Sequence, residues 1–296
     1  MATGNTYNQS SGLKQSYLNL MKLVAKDKTP LSSKYFKKGT RAISRVHQFT
    51  VDKTVRPTAM ADVIQIEGAA ITAAAPADFT QNENYVQNLR IVKHISTVQQ
   101  AVEYFGVDNY LSKVEEKALL QLAIDQEYSV INGVGASGAS GTARQMRGLA
   151  HWGSASGNTA TALASATETA VNDVLEAMLL DGTQADLLVC STGNKRNIDV
   201  WTALGATRFL NVQEKEKVAT INVYEGSFGR IELLMHSLCP DTAIYLVARD
   251  GVKMSFMTEP KITPLGRVSG GYAFEAEVNS TLEVNDPDAV GVVTVS

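Results

Sequence analysis

The chain has 296 residues, 44% of them apolar and 19% charged, a composition of one large or two ordinary folded domains that excludes a disordered tail. Two cysteines, Cys190 and Cys239, exclude a disulfide framework and read as reduced core or strand residues of an intracellular protein, and no apolar run approaches the roughly 18 residues of a membrane span. The net charge of −3 conceals an asymmetry: residues 1–56 carry eleven Lys/Arg and two acids, a net +9, which leaves −12 for residues 57–296.

A basic arm on an acidic body has three readings: nucleic-acid contact, docking onto the acidic surface of another copy, or a solvated tail. The opening MATGNTYNQSSGLKQS lacks an apolar core, so no signal peptide is expected. Residues 13–26 carry Leu13, Tyr17, Leu20, Met21 and Val24 at offsets 0, 4, 7, 8 and 11, an apolar stripe along one side of a helix. That stripe must be covered by its own body or by a neighbour, and the sequence does not separate the two.

From Val46 the period becomes two. Phe49, Val51 and Val55 alternate with polar residues, and Val63–Ile66, including Ile64, resumes an extended run after Pro57. The two runs predict a long hairpin with its tip around 56–62. A two-stranded hairpin is marginal alone in water and packs on something. Residues 85–95 read as a strand and 97–105 as a helix stopped by Gly106. The strongest helix spans about 112–132, with Ser112 and Glu115 as a capping box and Gly133 as a left-handed cap. Its apolar face is drawn from Val114, Ala118 and Leu122 and from Leu120, Ile124, Tyr128 and Ile131.

Gly133–Gly141 reads as a flexible loop. A second helix is expected from Ser165 and Glu168, with Val171, Val174, Leu175, Met178 and Leu179 as its stripe and Gly182 as its stop. Residues 186–190 are a buried-type strand, and Thr192 opens a helix to Leu204. Beyond Ile221 the text is strand-rich, with strands free to pair back with earlier ones. The fold class is α+β, without internal repeats.

Catalytic chemistry is not visible. Gly133, Gly135 and Gly138 match a dinucleotide fingerprint, but they follow a helix and open none. His47, His94, His151 and His236 lack ligand spacing, so no metal and no cofactor are expected. Neither cysteine has a nucleophile signature around it.

The order of parts resembles the major capsid protein of tailed double-stranded DNA phages, with the Hong Kong 97 phage-type capsid fold, and within it a podovirus-like and prophage major capsid family. The text that carries this is Thr29–Leu31, His47–Asp52, Glu67-Gly68, Thr97–Val102, Asp125–Glu127, Thr142–Leu149, Asn194–Arg196, Val223-Tyr224, Phe228-Gly229 and Thr258–Pro260. The resemblance implies an N-arm at 1–46, an E-loop at 47–78, a P-domain at 79–165 and 247–296, and an A-domain at 166–246. It implies intersubunit contacts from Phe49, Val51, Val55, Ile64 and Ile66 in the E-loop. In the arm they would come from Leu13, Tyr17, Leu20, Met21, Val24, Lys37, Lys38 and Arg41. Arg208, Glu214, Lys215, Glu216 and Lys217 would form the A-domain tip. Implied partners are further copies in hexamers and pentamers, scaffolding, portal and decoration proteins, and enclosed DNA bound without sequence specificity. No membrane is implied. The implied site is the virion, assembled in the bacterial host cytoplasm. Because the arm starts almost at once, any scaffold is expected to be a separate protein. An encapsulin-like nanocompartment shell and an α+β enzyme remain as alternatives.

Overall fold

A computed structural model describes residues 29–52, 57, 59–60, 64, 67, 79–102, 109–163, 165–204, 223–268 and 270–296. The chain enters through a short π-helical turn, Leu31–Tyr35, and the two-residue strand β1, Lys37–Lys38. Strand β2, Val46–Val51, pairs antiparallel with β3, Thr80–Tyr85. The strand that returns to residues 46–51 is therefore 80–85 and not the expected 63–66; Val63, Gln65 and Ile66 lie outside the described residues. The pairing encloses residues 52–79.

Strand β4, Gln87–Ser96, leads into the short helix α1, Thr97–Ala101, fixed by a capping box of Ser96 and Gln99. Helix α2, Tyr110–Asn132, is the long one: 23 residues, or about 34 Å at 1.5 Å per residue. Asn109, not Ser112, caps it by accepting from the Ser112 N–H at 3.3 Å. Gly133 follows it in extended geometry (φ −64°, ψ 123°), so it is no left-handed cap. A glycine is needed there for space: a Cβ would sit 2.5 Å from the Met146 carbonyl and 2.6 Å from that of Ser129. Only part of the expected apolar face is used. Ala118, Leu122 and Ile131 are buried, whereas Leu120 and Tyr128 stay 37% and 55% exposed.

The glycine segment after α2 is a small hairpin and not a flexible loop. Strand β5, Val134–Ala136, pairs with β6, Gln145–Arg147, and Gly135, Gly138 and Gly141 take positive φ through the turn. Helix α3, Leu149–Ala155, and strand β7, Thr159–Ala162, follow. Helix α4, Glu168–Leu180, is capped by Thr167 rather than Ser165, and it buries Val171, Val174, Leu175 and Met178 as their spacing predicts. Strand β8, Leu187–Cys190, is buried on both faces. Helix α5, Thr192–Leu204, starts at Ser191, whose hydroxyl accepts from the Asn194 N–H. Strands β9 (Val223–Gly226), β10 (Gly229–Met235), β11 (Ala243–Val247), β12 (Val252–Val268), β13 (Gly271–Val284) and β14 (Val290–Val295) complete the chain.

These strands form two main sheets. One has the order β1-β12-β13-β4, and α2 crosses it through Ala118 and Leu122 against Ile95, Phe274, Ala276 and Val278. The other has the order β7-β14-β11-β8-β10-β9. Its one face packs on α2, α3 and the entering turn through Leu187 and Val189; its other face packs on α4 and α5 through Leu188 and Cys190. The C-terminal strands do pair back with earlier ones: β13 with β4, β14 with β7 and β11. The expected boundaries at 165/166 and 246/247 group β7 and β14 with the P-domain, yet their hydrogen bonds lie in the six-stranded sheet.

Candidate functional site

Residues 29–42 bind the body of their own chain. Leu31, Tyr35 and Phe36 sit in the main core with Val130 and Ile131 of α2 and Trp152 of α3, and Leu31 is 0% exposed. Glu127, also 0% exposed, holds the turn: its Oε1 accepts from the Leu31 N–H at 2.7 Å and its Oε2 from the Ser32 N–H at 2.9 Å. The His236 Nε2 lies 3.2 Å from Oε1. A buried carboxylate persists only when it is hydrogen-bonded, and here two backbone donors and an imidazole meet it. Next, the Tyr35 hydroxyl donates to Glu232 at 2.5 Å. Arg249 bridges Asp186 at 2.7 Å and Glu232 at 3.0 Å and lies over the Tyr35 ring. Burial, then the Glu232 contact, pushes the Tyr35 hydroxyl pKa up.

Downstream, β1 runs parallel to the start of β12, and the Gly39 N–H donates to the Met254 carbonyl at 2.7 Å. A second buried carboxylate follows. Glu283 Oε2 accepts from the Thr40 N–H (3.0 Å), the Thr40 hydroxyl (2.8 Å) and the Ser255 hydroxyl (2.8 Å), with His47 Nε2 at 3.2 Å. Burial raises its pKa, but the hydrogen bonds from Thr40, Ser255 and His47 outweigh that and hold it below the ordinary glutamate value. Gly39 makes the approach possible, since a Cβ there would stand 2.6 Å from the Ser255 hydroxyl.

The base of the 52–79 loop is anchored as firmly. Asn84 is fully buried and uses its whole amide: Nδ2 donates to the Arg147 and Leu282 carbonyls, and Oδ1 accepts from the Arg147 and Tyr85 N–H groups. Phe49 rests half-buried on Trp152, ring centroids 6.1 Å apart.

Of the expected contact residues, Phe49 and buried Val51 are engaged within the chain, while Ile64 is 61% exposed. Lys37 reaches Asp250 at 2.6 Å and Lys38 reaches Glu259, so both cations expected to face a neighbour already meet acids of their own body. Arg41 is exposed and makes no salt bridge among the described residues. Leu13, Tyr17, Leu20, Met21, Val24, Val55, Ile66, Arg208, Glu214, Lys215, Glu216 and Lys217 lie outside the described residues. Glu283 and Asn84 were not singled out by sequence, and Glu127 was named only within the 125–127 text of the resemblance. Glu127 carried a signal, being i+3 from Ile124 and i−4 from Ile131, a charge inside an apolar stripe.

Among the described residues no group of three His, Cys, Asp or Glu is placed to hold a metal. Burial pushes the Cys190 thiol up to about 12 and the Cys239 thiol further, which leaves little thiolate for nucleophilic chemistry. The arrangement holds segments in place rather than activating a reactive group.

The sequence matches the family described as SU10 major capsid protein over residues 1–296. No curated protein matches it. Among solved structures it is similar to a chain of Mycobacterium phage Adephagia, with TM-score 0.64 and 12% identity over 100% of this chain and 99% of that one. It is similar to the cyanophage A-1(L) capsid asymmetric unit, with TM-score 0.67 and 11% identity over 98% and 99%. It is also similar to the holo-SrpI encapsulin complex from Synechococcus elongatus, with TM-score 0.63 and 11% identity over 99% and 96%. At these identities the structural matches establish the capsid fold.

Proposed function

Because the chain belongs to the family of SU10 major capsid proteins, we propose that its copies build the icosahedral or prolate head of a tailed phage, as hexamers and pentamers around double-stranded DNA. The family match over the whole chain is the observation that carries this reading. The fold is of the Hong Kong 97 phage type, and the protein is a structural subunit of a multimeric shell. In this reading its role is mechanical, and the buried carboxylates Glu127 and Glu283 hold segments of the chain in place.

In this reading residues 1–28 are the distal part of the arm, and 29–46 form its anchored root. The 47–78 segment is a loop held rigidly at its base, which presents Ile64 and its surroundings, with Val55 and Ile66, to the next copy. Arg41 faces a neighbour, and residues around 208–217 line the capsomer axes. The −12 charge of residues 57–296 repels a confined, densely negative genome and keeps it free to slide. Scaffolding, portal and decoration proteins complete the particle, which is assembled in the host cytoplasm.

Electron microscopy of the purified protein tests this. Closed shells of phage-head size, and heads with a portal and DNA from infected cells, are the expected result. Small closed shells around a cargo enzyme would favour the nanocompartment reading, which the similarity to the encapsulin complex keeps in play. Compact oligomers with no shell would refute both.

A further inference from the structure

We propose that the apolar stripe of residues 13–24 seats on the outer face of α2 in the same chain, as a short helix laid along the long one. This rests on reading the chain as a shell subunit with an arm, and it assigns the stripe to its own body instead of a neighbour.

The seat is a ridge of Leu120, Ile124 and Tyr128. Their i, i+4, i+8 spacing aligns them on one side of α2 over about 12 Å. Leu120 and Tyr128 are 37% and 55% exposed, and Ile124 is partly buried between them. Lys113, Lys117 and Gln121 flank the ridge on the same side, the polar rim expected of a covered apolar surface.

The point where the arm leaves the body selects the occupant. The Leu31 and Ser32 N–H groups are bound to Glu127, the residue before Tyr128, so Thr29 starts beside the ridge. From Val24 to Thr29 the chain extends to at most about 17 Å, and the centre of the ridge at Ile124 is only about 4.5 Å along the axis from Glu127. As a helix, Leu13–Val24 is about 16 Å long, enough to cover the ridge, and its offsets of 4, 7, 8 and 11 present a matching row. A tether this short gives an effective concentration on the order of millimolar, which favours the chain's own arm over a free copy.

Charge alone points elsewhere. The outer side of α4 carries Asp173 and Glu176, Asp181 follows, and the helix contains no Lys or Arg. But α4 lies on the opposite face of the six-stranded sheet from the entering turn. A sheet layer and a helix diameter, about 20 Å in all, exceed the reach of the tether before any detour around the sheet edge. Reach therefore overrides charge.

The test uses the full chain with Leu20→Cys and Ile124→Cys, oxidised as dilute unassembled subunit. The native cysteines are buried and are retained. An intrachain disulfide at monomer mass is expected, with none for the control pair Leu20→Cys and Asp173→Cys. Links only between chains, or none for the first pair, would overturn the seat. A second measurement needs no cross-link: with Ile124→Cys alone, deleting residues 1–28 should speed thiol labelling at position 124 by about tenfold or more, as loss of a cover requires. An unchanged rate would also overturn it. Shell formation by the same variants under reducing conditions is scored separately by electron microscopy, so the seat and the shell reading can fail independently.

Discussion

Deleting residues 1–42 should destabilise the isolated subunit far more than deleting residues 1–28. The shorter deletion stops before Leu31, the first of the described residues buried in the core. The longer one removes Leu31, Tyr35, Phe36 and Ala42, all buried. Burial of the three large side chains is worth about 1.5–3 kcal/mol each, or about 5–9 kcal/mol together. It also leaves Glu127 and Glu283 without the Leu31, Ser32 and Thr40 donors, at about 1–3 kcal/mol for each stranded group. A domain of this kind has only about 5–15 kcal/mol in total. The 1–42 deletion should therefore be insoluble, or melt at least about 10 °C below the 1–28 deletion, given about 2–4 °C per kcal/mol in chains of 150–250 residues. Circular dichroism melts on both, with Leu31→Ala in the full chain as the gentler version at about 2–5 kcal/mol, make the measurement. If both deletions melt within about 2 °C of each other, the claim that residues 31–42 belong to the core is wrong.

Glu127→Gln places an amide NH2 against a donor and should cost about 2–4 kcal/mol, with faster protease cleavage around residues 29–36; an unchanged cleavage rate would contradict the clamp. Glu283 has a folded pKa below its unfolded value, so its contribution is present above the unfolded pKa near 4.5 and is lost as pH falls through the folded one; Glu283→Gln should flatten the acid limb of a stability–pH curve and leave the limb above pH 7 unaltered. Ile64→Asp should leave the subunit melt unchanged and reduce shell yield, whereas Phe49→Asp should lower the melt itself because its ring rests on Trp152. DNA binding by the subunit should be weak and should vanish by about 0.2 M salt, since the basic segment is offset by a −12 body; sequence-specific binding in filter assays would contradict this.

Periodicity was readable where a face is buried along its full length. The β8 run met that condition throughout and the α4 stripe from Val171 to Met178, while Leu179, the last residue expected in that stripe, is 49% exposed. It misled where burial is shared between elements. Strand β3, Thr80–Tyr85, has no apolar alternation, and its place depends on the buried Asn84 amide, so an apolar run at 63–66 looked the better partner for β2. Helix starts were displaced by one to three residues, because Asn109, Thr167 and Ser191 compete with nearby Ser and Thr and only tertiary context chooses among them. The basic segment looked like an arm reaching for a neighbour because charge counts do not show that Asp250, Glu259, Glu232 and Glu283 come to meet it from positions more than 190 residues away.

That last separation has a consequence for the order of events during synthesis. Thr40 and its partner Glu283 are 243 residues apart. At roughly 5–20 residues per second, the ribosome makes the acceptor about 12–50 s after the donor. Until then the root of the arm has no seat at β12 and β13, and β1 has no strand to join. The subunit can lock its arm only when translation is nearly complete. A nascent chain still on the ribosome therefore lacks the fixed geometry that a growing shell would have to recognise, and the clasp acts as a timer on competence to assemble.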